Sequence, residues 1–184
     1  MRKSHIACAA ALVAMMLPAI AWAQVESTPI PAPNKPNFSS MSFMLGTWTC
    51  RTKSSRRPTY YTTISTYTLD PTGFWMNEVS RTPKTAWVPT GLSNWDKITY
   101  DSDTHRWVDV GWGDGGTYTL SFANGWKGSQ MAWHDVSFAA GPDIDSQTDI
   151  VTTKVSPAKT MSTSSFTETK TGRRVSVVAT CTKS

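Results

Sequence analysis

The sequence predicts an all-β protein: a closed up-and-down antiparallel barrel of about ten strands, entered through one short N-terminal helical turn. Three observations carry this. From Gly46 onward Thr, Tyr, Val and Trp dominate short runs with period-two alternation. No stretch long enough for a helix shows a 3.6-residue apolar period. Turn signals cut the chain at short intervals, and a meander joined mostly by tight turns must curl and close to remove its edges. A two-sheet sandwich is the competing architecture, but its crossovers need longer connections.

The elements follow in order. Residues 38–45 are apolar without strict alternation and form the helical turn. Strands fall near residues 46–53, 59–70, 73–82, 92–101, 105–112, 116–124, 125–135, 147–155, 159–168 and 173–183. Their punctuation is specific: Asp70-Pro71-Thr72-Gly73, Asp101-Ser102-Asp103, Gly113-Asp114-Gly115-Gly116, Asn124-Gly125, Ser156-Pro157 and Thr171-Gly172. Asn-Gly is the strongest of these as a two-residue hairpin signal. Successive loops of a meander alternate between the barrel ends. One end therefore receives only tight turns, and the other receives the longest connections, residues 83–91 and 136–146. Binding barrels separate scaffold and loops in this way.

Ahead of the barrel, Arg2, Lys3 and His5 precede an apolar run from Ile6 to Ile20 and the small-large-small triplet Ala21-Trp22-Ala23. This is the layout of a secretory signal peptide cleaved before Gln24. The run is short of the roughly 20 apolar residues a membrane-spanning helix needs. The expected organisation is a signal peptide at 1–23, a Pro-rich linker at 24–37 holding Pro29, Pro31, Pro33 and Pro36, and a single barrel domain at 38–184. The expected location is periplasmic or secreted, with no transmembrane segment.

Loss of Arg2 and Lys3 takes the formal charge from +5 to +3. That is too small for the basic stripe of a nucleic-acid binder. Cys50 and Cys181 remain in the mature chain, and an even cysteine count in an oxidising compartment implies a disulfide. Barrel closure supports it, because the last strand then runs antiparallel beside the first. Two free buried thiols are the alternative.

The first strand opens Gly46-Thr47-Trp48. A G-x-W at this place in an exported all-β chain resembles the lipocalin and wider calycin group. The strand count is nearer the ten-stranded fatty-acid-binding and nitrobindin-like branch. The resemblance implies that Trp48 plugs the closed end, under Phe43 and Leu45. It also implies a cationic side chain crossing that Trp just past the last strand, where lipocalins carry an arginine and this chain has Lys183. The histidine by which nitrobindin-like proteins hold haem is missing from the last three strands, so no cofactor is expected.

Metal binding is not expected either. His105 and His134 stand far apart, no C-x-x-C or H-E-x-x-H occurs, and Asp143, Asp145 and Asp149 lack the glycine and terminal Glu of a calcium loop. Gly111-Trp112-Gly113-Asp114-Gly115-Gly116 precedes no helix and reads as a hairpin rather than a phosphate loop. No G-x-S-x-G is present.

Counting across the turns assigns a ligand-binding lumen face of Trp107, Asp109, Tyr118, Leu120, Phe122, Met131, Trp133 and Asp135, with Lys127 and Ser129 on the same face and His134 outside. A one-residue slip reverses such assignments. Asp109 is the chemically notable member, because a carboxyl in a lumen resists ionisation; a salt bridge to Lys97 is its plain structural alternative. Arg56, Arg57, Arg173 and Arg174 are expected to meet at one sector of the open rim. The expected function is to hold a small, largely apolar or anionic amphipathic molecule in the lumen. The alternatives are a cofactor-free lyase, isomerase or hydrolase using Asp109, Asp135 or Glu78 with a Tyr or His, and a structural protein with a filled lumen. The sequence leaves the ligand and the oligomeric state open.

Overall fold

A computed structural model describes residues 32–86, 88–138 and 144–184. The expected signal peptide at 1–23 and most of the linker lie outside the described residues. Eleven strand segments follow a 3-10 helix, Phe38–Met44. They are β1 (Gly46–Ser54), β2 (Tyr61–Leu69), β3 (Met76–Thr82), β4 (Leu92–Asp101), β5 (Arg106–Gly113), β6 (Tyr118–Ala123), β7 (Gln130–Phe138), β8 (Ile144–Gln147), β9 (Ile150–Ser156), β10 (Lys159–Glu168) and β11 (Arg174–Lys183). All pairings are antiparallel, and β11 pairs with both β10 and β1, which closes the sheet. Segments β8 and β9 pair with successive parts of β10 and share one position, so the barrel has ten strand positions.

The helix forms because its start is capped: the Asn37 side chain accepts a hydrogen bond from the Ser39 N–H at 3.0 Å. It closes the end of the barrel that carries the tight turns. Phe38 and Met41 bury themselves against Met76, Ile98, Trp107, Ala123 and Met131, with Met44, Leu45, Tyr67, Tyr100, Trp126 and Trp133 at the margin. These residues come from strand ends that alternate inward and outward, so one apolar plug gathers them all.

Trp48 is buried beside this plug. Its indole Nε1 donates to Met44 O at 2.6 Å, and Phe43 meets its ring edge-on at 6.5 Å. Lys183 pairs in register with Trp48, lays its ammonium 5.7 Å from the indole centroid and donates to Phe43 O at 3.0 Å. A lysine thus fills the place the resemblance reserves for an arginine. It ties the last strand to the first and to the end of the helix. Cys50 and Cys181 are direct cross-strand partners joined as a disulfide, with Cα atoms 3.9 Å apart.

Two turns differ from the sequence expectation. The connection after β6 does not reverse at Asn124-Gly125. The tight turn is Lys127–Gln130, whose ends exchange backbone hydrogen bonds of 2.7 and 3.1 Å around Gly128 at φ +61°. The chain continues to that point because Trp126 packs its ring 5.4 Å from Phe43 at the plug. Lys127 and Ser129 are therefore exposed in the turn instead of facing the lumen. The connection after β5 loops over Asp114, Gly115 and Gly116, with Gly113 N–H donating to Thr117 O at 2.9 Å and Gly116 at φ +78°. A three-residue loop with a left-handed third position is a standard hairpin solution. It shifts the parity of β6 by one relative to the expected count.

Candidate functional site

The register fixes which side chains face the lumen. Trp48, Cys50 and Thr52 on β1 align with Ser65, Thr63 and Tyr61 on β2, and on β3 Ser80 stands opposite Ser65 and Glu78 opposite Tyr67. Glu78 stands directly opposite Asp96 on β4, Asp96 opposite Gly111 on β5, and Asp109 opposite Ser121 on β6. Above the apolar plug the inner wall is polar: Thr52, Ser54, Ser65, Ser80, Thr82, Ser121 and Thr160 are all buried.

The β6 face is the reverse of the one expected from sequence. Ser121 and Ala123 are buried, whereas Tyr118 is 54% exposed. Leu120 and Phe122 lie on the same outer side as Tyr118, and Phe122 is covered there by the Arg106 guanidinium at 4.4 Å. Trp107 and Asp109 on β5 do face inward, as do Met131, Trp133 and Asp135 on β7, while His134 is exposed and pairs with Asp149 at 2.9 Å. A bulge between Leu120 and Ser121 leaves Val136 as the extra residue of β7.

Two hollows open within this wall. The first, about 360 Å³, lies at the loop-rich end and is lined by Ser54, Arg56, Arg57, Tyr61, Thr63, Thr82, Val88, Leu92, Asn94, Phe166 and Val177 among others. The second, about 230 Å³, is bordered by Ser80, Asn94, Asp96, Gly111 and Thr119. Asn94 borders both.

Closure brings Arg56 and Arg173, far apart in sequence, to one carboxylate at the loop-rich end. Arg56 and Arg173 converge on Glu168, at 2.9 and 3.1 Å, and Arg57 lines the larger hollow. Arg174 sits on the outer side and donates to Ser165 Oγ at 3.0 Å. The Thr171 hydroxyl and the Arg173 guanidinium hold the Glu168 carboxyl below the usual carboxylate range.

Deeper in the lumen the electrostatics reverse. Glu78, Asp96 and Asp109 stand on adjacent strands, with Tyr67 beside Glu78. The Ser65 and Tyr67 hydroxyls hydrogen-bond Glu78, yet burial still pushes its carboxyl up. Burial, then the nearby Glu78 charge, raises Asp96 from 3.8 to about 7. Burial, then Asp96, Glu78 and Asp135, raises Asp109 well above the ordinary range, and its Oδ1 is buried without a hydrogen-bond partner. Tyr67 is likewise held well above its ordinary value by burial and by Glu78. All four side chains are half-buried, and Asp96 is the one that borders the smaller hollow. Asp109 makes no salt bridge to Lys97, whose ammonium lies 5.9 Å from the Trp75 ring centroid. Asp135 is held by Ser121 and by Gln147 Nε2 at 2.7 Å.

Sequence reasoning did not place Asp96 at the site, and named Glu78 only as one acid among three. The signal was present in the glycines. A Cβ on Gly111 would collide with Asp96 Oδ1 and stand 2.7 Å from Thr119 Oγ1; one on Gly113 would collide with Asn94 Oδ1. Glycine in a strand weakens it and marks a close approach; here the approach is that of the two polar side chains of β4.

Among the described residues no three His, Cys, Asp or Glu side chains converge as they would around a metal ion, and no helix is long and apolar enough to cross a membrane. No protein-family model matches the chain, and no curated protein sequence matches it.

Proposed function

We propose that this chain is an exported binding barrel of the calycin kind that holds a small amphipathic molecule in its lumen, admitted at the arginine-bearing end. The observation that supports this most directly is the hollow of about 360 Å³ at that end. Its size is in the range of small-molecule sites, and it combines apolar walls with a few polar groups, as such sites do. Val88, Leu92, Phe166 and Val177 offer packing surface. Arg57, with Arg56 beside it, offers a partner for an anionic group. The polar wall below argues against a purely apolar ligand.

Anilinonaphthalene sulfonate and medium-chain fatty acids are suitable probes. Binding that weakens with salt and on neutralising Arg56, Arg57, Arg173 and Arg174 together supports the reading. Binding unaffected by that change removes the rim from it, and no binding of any small molecule favours a filled, structural barrel.

A second reading is favoured by one observation, the carboxyl cluster with Tyr67. A carboxyl held near neutrality is suited to general acid–base work. Under this reading the barrel is a cofactor-free lyase, isomerase or hydrolase with Asp96 and Asp109 as proton carriers. Turnover of a chromogenic substrate that survives Asp96→Asn and Asp109→Asn would place the chemistry elsewhere.

A further inference from the structure

We propose that Glu78, Asp96 and Asp109 form a subsite for a protonated amine, so that the lumen takes a small organic molecule carrying a primary ammonium group. The proposal rests on the lumen being the binding site and goes further by naming the group recognised there.

The cluster is built by register. Glu78 and Asp96 are direct cross-strand partners, and Asp109 lies on the next strand opposite Ile98, two positions along from Asp96. All three project from the same inner face. Among the described residues none of them forms an ion pair with Lys or Arg. The charged and titratable groups facing them are Tyr67 on β2 and Asp135 on β7, neither of which supplies positive charge. The cations of the lumen ends are engaged elsewhere. Lys154 lies over Phe43 and Lys183 over Trp48 at the closed end, and Arg56 and Arg173 hold Glu168 at the rim.

A cluster of carboxyls could exist for packing alone. Two further observations point to a ligand. Asp109 Oδ1 is buried and accepts no hydrogen bond, a deficit of the sort that native proteins rarely leave unfilled. Gly111 and Gly113 interrupt β5 where Asp96 and Asn94 lie across it, so the strand gives up two side chains to keep these polar groups beside the hollow of about 230 Å³. That hollow presents Ser80, Asn94 and Thr119 as further polar partners.

The chemistry selects the ligand class. Among the described residues the acids do not converge as metal ligands do, which favours a cationic group carried on an organic molecule with reach of its own. An ammonium has three N–H donors and one positive charge, so it can pair with one of these carboxylates while its remaining N–H groups reach neighbouring polar groups such as Ser80, Asn94 and Thr119. Its arrival makes ionisation of the acids favourable. A carboxylic acid in the lumen loses its proton to solvent, and the carboxylate left behind pairs with the ammonium. Binding therefore releases protons, and affinity rises with pH through the range where the acids are still protonated in the empty barrel. Asp96, held at about 7, places that range around neutrality.

The test is isothermal titration calorimetry of the full mature chain with n-butylamine and benzylamine. n-Butanol and benzyl alcohol serve as neutral isosteres, and anilinonaphthalene sulfonate as an independent lumen probe. The expected result is amine binding without alcohol binding. Affinity should gain up to about tenfold per pH unit for each proton released, and the enthalpy should depend on the ionisation heat of the buffer. Asp109→Asn and Asp96→Asn should each weaken amine binding at least about tenfold, the loss expected for removing one charge-assisted contact, while leaving the sulfonate probe bound. Should one variant fail to fold, the other and the wild-type pH series still decide. Sulfonate binding without amine binding overturns the amine subsite and leaves the lumen reading standing; failure of every probe removes both. Amine binding that is independent of pH, or indifferent to both substitutions, also overturns the proposal.

Discussion

Replacing Asp96 by Asn should stabilise the protein near pH 8 and do little near pH 4. The fold moves the Asp96 carboxyl from 3.8 to about 7, chiefly by burial and secondarily through Glu78. Each pH unit of such displacement corresponds to about 1.4 kcal/mol. Keeping Asp96 ionised in the folded barrel therefore costs about 4 kcal/mol if taken at full value. Asp96 is half-buried and borders a hollow, so screening reduces that to about 2–3 kcal/mol. The folded state holds the proton more tightly than the unfolded chain. This contribution to stability is thus fully present below the unfolded value near 3.8 and is lost as pH rises through about 7. Asn has the same shape and cannot ionise, so Asp96→Asn should flatten that decline. The assay is urea unfolding followed by tryptophan fluorescence, on parent and variant, at about pH 4, 6 and 8. A gain of about 2–3 kcal/mol near pH 8 and little near pH 4 is expected. A variant less stable than the parent near pH 8 would refute the reasoning, because it would mean that the carboxylate is satisfied as an anion. An equal gain at every pH would assign the effect to packing instead of charge.

Other consequences are as direct. Replacing Cys50 and Cys181 by Ser should cost about 2–5 kcal/mol, since the bridge spans a sequence separation of 131; a thermal midpoint unchanged by reductant would contradict it. Trp48→Ala should cost about 3–5 kcal/mol as a large-to-small core change, read by denaturant unfolding, and a near-neutral effect would remove Trp48 from the plug. Gly111→Ala forces a methyl group against Asp96 and should cost about 1–3 kcal/mol. Combined with Asp96→Ala that cost should shrink, and strict additivity in the double-mutant cycle would deny the contact. Below about pH 4 stability should fall, because Asp70, Asp101 and Glu168 are held below their ordinary values, first of all by hydroxyls of Thr72, Thr104 and Thr171 respectively. An acid titration followed by circular dichroism checks this.

The sequence by itself determined the features that depend on neighbours along the chain. Alternation, turn residues and the spacing between them located the ten strand positions, the short helix before them and the compact and loop-rich ends. The pairing of Cys50 with Cys181 followed as well, because they are the two cysteines beyond the N-terminal apolar run and closure of an even-stranded meander sets the last strand antiparallel beside the first. Faces were legible where a large apolar residue marked one side, as Trp107 and Met131 do. They were not legible on β6, where Tyr118, Leu120 and Phe122 alternate with Thr119, Ser121 and Ala123 and the more apolar set turned out to face outward. What overrode hydrophobicity there was the three-residue loop at Asp114-Gly115-Gly116, since one residue in a turn flips a whole strand. Asn124-Gly125 failed as a hairpin for a related reason: the packing of Trp126 on Phe43 placed the reversal at Gly128. The carboxyl cluster was decided by tertiary structure alone. Glu78, Asp96 and Asp109 lie on three strands, each in an unremarkable local pattern, and only the registers of β3–β4 and β4–β5 bring them to one wall. A strand's own residues record its alternation, but which residue stands opposite is set by loop geometry and by the plug at the closed end.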